Sequence, residues 1–104
     1  MGVLINEKAT NNKWESYKVQ THQKKVGQID NALIIAGSDQ RGTMFGIYAF
    51  CEQILGVDPF YFWSGLEPDR KRELAWEAVS IQADEPSFKF RAWFLNDEDL
   101  LIEW

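Results

Sequence analysis

The amino-acid sequence predicts an α/β (α+β) fold in which a small mixed β-sheet is packed by one main helix. Three observations carry the prediction. Tyr17, Val19 and Thr21 alternate with Ser16, Lys18 and Gln20, the period of two that marks a half-buried strand. Ala32 to Ala36 is an unbroken apolar run between Asn31 and Gly37, which fits a central strand covered on both faces. Beyond it, apolar residues recur at the i, i+3, i+4 spacing of a helix that ends near Leu55.

Taken in order, Gly2-Val3-Leu4-Ile5 reads as a short strand, and Asn6 to Asn12 is polar and turn-rich. The strand from Glu15 to Thr21 is followed by a connecting turn over Lys24 to Asn31. After the apolar run, Ser38 or Asp39 can cap the helix by accepting a bond from an unpaired backbone N–H, and Gly56 stands where a C′ glycine belongs. Met44, Ile47, Tyr48, Cys51, Ile54 and Leu55 form the expected inward stripe, which Phe45, Ala49 and Phe50 widen beyond one face. A helix this apolar is expected to be sandwiched between the sheet and a second body. Phe60 to Trp63 reads as strand or loop, Trp76 to Ile81 alternates as a strand, and Phe88 to Leu95 reads as a strand that becomes solidly apolar late.

Composition narrows the function. With 104 residues, 45% of them apolar, the chain reads as one globular domain. The 5 Trp, 3 Tyr and 7 Phe exceed what so small an interior houses, so some rings are expected to face another surface. A net charge of −5, with basic residues scattered, argues against nucleic acid and against an anionic membrane surface as partners. No stretch approaches the roughly 18 apolar residues of a membrane span. Met1 to Ile5 is too short for a signal peptide and lacks its charged flank, which leaves the compartment open. One Cys, Cys51, permits no internal disulfide, and with the distant His22 it makes no zinc pattern. No motif calls for a cofactor or a metal.

Four features can carry chemistry. Gly37 to Thr43 has the glycine spacing of a phosphate-binding loop but lacks the Lys after the second Gly, which weighs against a nucleotide reading. What remains is a helix N-terminus with Asp39 and Arg41 as an anion site. The alternative is a capped crossover in which Gly42 admits close packing and Arg41 pairs with a carboxylate. The aromatic run Phe60 to Trp63 can stack on sugar faces, although packing against a neighbouring domain accounts for it better. Cys51 with His22 would be a thiol and its base, yet the inward stripe makes Cys51 a core residue. Finally, Asn96, Asp97, Glu98 and Asp99 follow the last apolar run as a polar cluster.

Several stretches together resemble the N-terminal region of glycoside hydrolase family 115: Trp14-Glu15-Ser16-Tyr17, Ala32 to Tyr48, Glu52-Gln53-Ile54, Gly56 to Trp63, and Phe90 to Glu98. They occur in the family's order over most of the chain, with departures at Cys51 (often Ser), Phe60 and Phe62 (commonly Trp). The family comprises xylan α-glucuronidases, which remove glucuronic acid or its 4-O-methyl ether from xylan side chains with inversion. The resemblance implies an N-terminal accessory α/β domain over residues 1–86 and, over 87–104, the start of a truncated (β/α)8 catalytic barrel. Phe88 to Leu95 would be a stub of the barrel's first strand, with Asn96, Asp97 and Glu98 at its substrate-facing end. A barrel takes about 250 residues, and inversion needs two carboxyl groups about 6.5–9.5 Å apart across the bond. The expectation is therefore a non-catalytic fragment, inactive alone, whose partner is the missing barrel and whose parent's substrate is a carbohydrate. Its uncovered surface is expected to self-associate. The alternative is a stand-alone carbohydrate-binding or interaction module.

Overall fold

The computed structural model describes residues 13–23 and 31–94, together with the backbone of 3–5. The elements are β1 (Val3–Ile5), β2 (Tyr17–His22), β3 (Ala32–Gly37), α1 (Gln40–Gln53), α2 (Tyr61–Ser64) and β4 (Ser80–Ala83). They build one four-stranded sheet in the order β1-β3-β2-β4. β1 runs parallel to β3, whereas β2 is antiparallel to both β3 and β4. This is the small mixed sheet with one main helix, an α+β fold in two layers. The connecting segment expected over Lys24 to Asn31 falls outside the described residues except for Asn31. That residue takes the left-handed φ of 59°, which Asn tolerates better than most.

The core lies between α1 and one sheet face. Val19, Leu33, Ile35, Phe50 and Val79 form it, flanked by Tyr17, Ile54, Leu55, Trp76 and Ile81. Phe50 meets Trp76 edge to face, with ring centroids 5.2 Å apart. The opposite sheet face places half-buried Ile34 and Ala36 beside exposed Lys18 and Gln82. The unbroken run in β3 is thus covered by a helix on one face only.

The helix presents a different face from the one its bulky residues suggest. Gly42, Thr43, Gly46, Ala49 and Phe50 are buried against the sheet, while Met44, Ile47 and Tyr48 are exposed and Cys51 is half-buried. Close approach is the reason. A Cβ at Gly46 would stand 2.9 Å from Ile35 Cγ2, and one at Gly42 only 2.3 Å from the Ser16 carbonyl oxygen. Small residues let the backbones meet, so the bulky stripe is turned away. Past the helix, Gly56 (φ 75°) reverses the chain, and the Val57 N–H donates to the Cys51 carbonyl at 3.1 Å.

Three further elements depart from the sequence pattern. Phe60 to Trp63 is neither strand nor loop: α2 is a single turn closed by Gly65 (φ 67°), whose N–H donates to the Tyr61 carbonyl. The strand expected over Trp76 to Ile81 starts later, at Ser80, because Val79 is engaged by the Thr21 side chain through its N–H (2.9 Å). Phe88 to Phe94 forms no strand, since no described strand lies alongside to share a hydrogen-bonded ladder; Leu95 lies outside the described residues.

Candidate functional site

Among the described residues, the turn between β3 and α1 gathers a dense set of polar contacts. Asp39 is extended (φ −149°) and caps α1: its Oδ1 accepts the Gly42 N–H at 2.7 Å, and its backbone oxygen accepts from Thr43 N–H at 3.1 Å. Its Oδ2 accepts the Glu15 N–H at 3.0 Å, tying the entry of β2 to the helix. Ser38 reinforces this tie, donating its N–H to the Ser16 carbonyl (2.9 Å) and accepting the Ser16 N–H on Oγ (3.0 Å). The Glu15 N–H does most to hold the Asp39 carboxyl below its ordinary range; the Gly42 N–H follows, and partial burial opposes both.

Glu15 is the centre of this arrangement. It is 8% exposed and holds a left-handed backbone, φ 50°, a conformation uncommon outside Gly and Asn. Its Oε1 accepts from Arg41 Nε at 2.5 Å, and its Oε2 accepts from Arg91 Nη2. Arg91 Nη1 donates to the Phe88 carbonyl at 2.6 Å. The two guanidiniums lie against aromatic faces: Arg41 is 5.7 Å from the Phe45 ring centre, and Arg91 is 5.8 Å from Trp14 and 6.0 Å from Phe45. The hydrogen bond from Arg91 is the main influence lowering the Glu15 carboxyl; desolvation works against it, and Arg41 adds to the lowering.

Asp39 and Arg41 are therefore brought together, each with a partner inside the chain. The Asp39 carboxylate occupies the helix N-terminus, and Arg41 spends its Nε on Glu15. That is the capped crossover, with Gly42 seated against the Ser16 carbonyl. Asn96, Asp97, Glu98 and Asp99 lie outside the described residues. His22 lines a cavity of about 490 Å³ with Thr21, Asn31, Trp76 and Glu77, and Cys51 is not among its walls. Gln23 also lines it, and the chain between Gln23 and Asn31 lies outside the described residues. A second cavity of about 320 Å³ runs beside α1, lined by Glu15, Phe45, Tyr48, Glu52 and Arg91 among others.

The aromatic run assembles a surface cluster rather than an alternating row. Its helical turn puts Phe60 and Trp63 (i, i+3) on one side, 6.2 Å apart, and Trp93 joins both. The Trp63 and Trp93 rings are near parallel, 12° and 6.1 Å apart, and Phe60 lies 5.8 Å from Trp93. All three remain substantially exposed.

Sequence reasoning missed Glu15 and Arg91 as partners. The available signal was Arg91 itself, a charge set between Phe90 and Ala92 where the run turns solidly apolar. Among the described residues no cluster of His, Cys, Asp or Glu can hold a metal, and no helix is long and apolar enough to cross a membrane. In comparisons with known proteins, no family model matches the chain and no curated protein matches it.

Proposed function

We propose that the chain serves as a non-catalytic N-terminal domain of a glycoside hydrolase resembling the xylan α-glucuronidases. The parent enzyme would hydrolyse glucuronic or 4-O-methylglucuronic acid from xylan side chains, and its barrel would cover part of this domain. The single observation that carries the reading is the outer face of α1, where Met44, Ile47 and Tyr48 stand exposed opposite a face already packed on the sheet. Chemistry at the polar turn supports it too. Each oxygen of the Glu15 carboxylate is engaged by a guanidinium, which makes it a weak nucleophile and a weak base. The sequence resemblance over Ala32 to Tyr48 and Phe90 to Glu98 supplies the substrate class.

Two measurements test the proposal. The purified chain is expected to release no glucuronic acid from decorated xylo-oligosaccharides, and measurable release would overturn it. In the genome, the reading frame is expected to run on into barrel-sized sequence; a stop codon directly after Trp104 would count against it. A carbohydrate-binding module is the second reading, favoured by the exposed Phe60, Trp63 and Trp93 rings. NMR titration with glucuronic acid and xylo-oligosaccharides separates the two, since shifts at Trp63 or Arg41 belong to the module.

A further inference from the structure

We infer that residues 88–94 form a strap latched to the α/β unit at two points, with Arg91 on Glu15 as the lock and Trp93 on Trp63 as the second hold. The inference does not depend on the parent enzyme's activity.

The lock has a specific construction. One planar guanidinium makes both of the strap's key bonds: Nη1 closes the turn onto the Phe88 carbonyl at 2.6 Å, and Nη2 reaches Glu15 Oε2. Turn and latch therefore form together, and a lysine at this position, a single point charge, does not reproduce the fork. On the receiving side, Glu15 is almost fully buried and held from three directions: its N–H by Asp39, and Oε1 and Oε2 by Arg41 and Arg91. Trp14 and Phe45 flank the arriving guanidinium. The two arginines use different oxygens of the carboxylate, Arg41 Oε1 and Arg91 Oε2, while Asp39 fixes the Glu15 backbone, so the strap has an oxygen of its own to hold.

Closure has two consequences. Arg91 becomes a wall of the cavity of about 320 Å³ beside α1, so unlatching opens that cavity toward Phe45 and Tyr48. It also sets the strap's outer side, where Phe90 is 91% and Phe94 90% exposed. A latched strap holds those two rings away from the core, on the surface where another body can meet them.

The test compares Arg91→Gln with Arg41→Gln in the full chain. Two readouts follow the strap: the backbone 15N heteronuclear NOE over 88–94, and the exciton couplet of the Trp63–Trp93 pair in circular dichroism. Trp93→Phe identifies the couplet. Arg91→Gln is expected to lose both signals while the amide shifts of β2 and β3 stay in place; Arg91→Lys loses them in part. Arg41→Gln is expected to keep both, since Glu15 retains the strap's own arginine. An ordered strap with an intact couplet in Arg91→Gln would overturn the latch. So would equal loss in both variants, which would assign the order to charge balance, or collapse of the sheet shifts in Arg91→Gln, which would make the strap part of the core.

Discussion

Asp39 and Glu15 both hold the β2 entry through an accepting carboxyl, Asp39 from backbone N–H groups and Glu15 from two guanidiniums. Asp39 accepts backbone N–H groups from two elements, so Asp39→Ala is expected to cost about 1–2 kcal/mol by urea denaturation, the upper range for loss of a helix cap. Gly42→Ala is expected to be at least as damaging, about 1–3 kcal/mol, because its Cβ would stand 2.3 Å from a backbone oxygen that cannot swing aside. The same carboxyls set the acid response. Both are lowered in the fold, so their stabilisation is complete above the ordinary values of about 4 and is lost as pH falls through the lower folded values. The urea midpoint, as far as these groups govern it, is therefore flat from about pH 5 to 7 and drops below about pH 4. Glu15→Gln should flatten part of that drop; an unchanged acid limb would contradict the assignment.

At the scale of elements, α1 shows what an apolar pattern leaves open. Its bulky stripe and its small residues lie on opposite sides, since each residue advances about 100° around the axis. Burial follows the small side, where Gly46 and Ala49 admit β3 closely and Phe50 reaches the core. Phe50→Ala is expected to cost about 3–5 kcal/mol, whereas Ile47→Ser should stay within about 0.5 kcal/mol in thermal or urea unfolding. Equal costs at the two positions would reverse the assigned faces. The existence of β1, β2, β3 and α1 was legible because each has a clear period or run. The length of β4 was not, because the Thr21 hydroxyl takes up Val79 ahead of it, a side-chain bond that no local pattern announces.

At the scale of the molecule, the described residues build a two-layer unit with a small core, and their exposed apolar surfaces include the outer face of α1 and the cluster of Phe60, Trp63 and Trp93. Such surfaces favour association in water. Sedimentation is expected to show a weight-average mass that rises with concentration, and Ile47→Glu combined with Tyr48→Glu to lower it without disturbing the sheet. A monomer at every concentration would count against these faces as contact surfaces. The strap belongs to this scale as well, since Arg91 and Trp93 reach residues far away in the chain.

The sequence by itself determined the class of fold, the succession β1, β2, β3, α1 and a helix cap at Ser38 or Asp39, because these depend on neighbours within a few positions. Only the tertiary structure decided which side of α1 is buried, that Phe60 to Trp63 coils into a turn, and that Glu15 receives two arginines. Those outcomes rest on how closely backbones approach and on which distant charges share one buried carboxylate. Neither quantity is written in the spacing of residues along the chain.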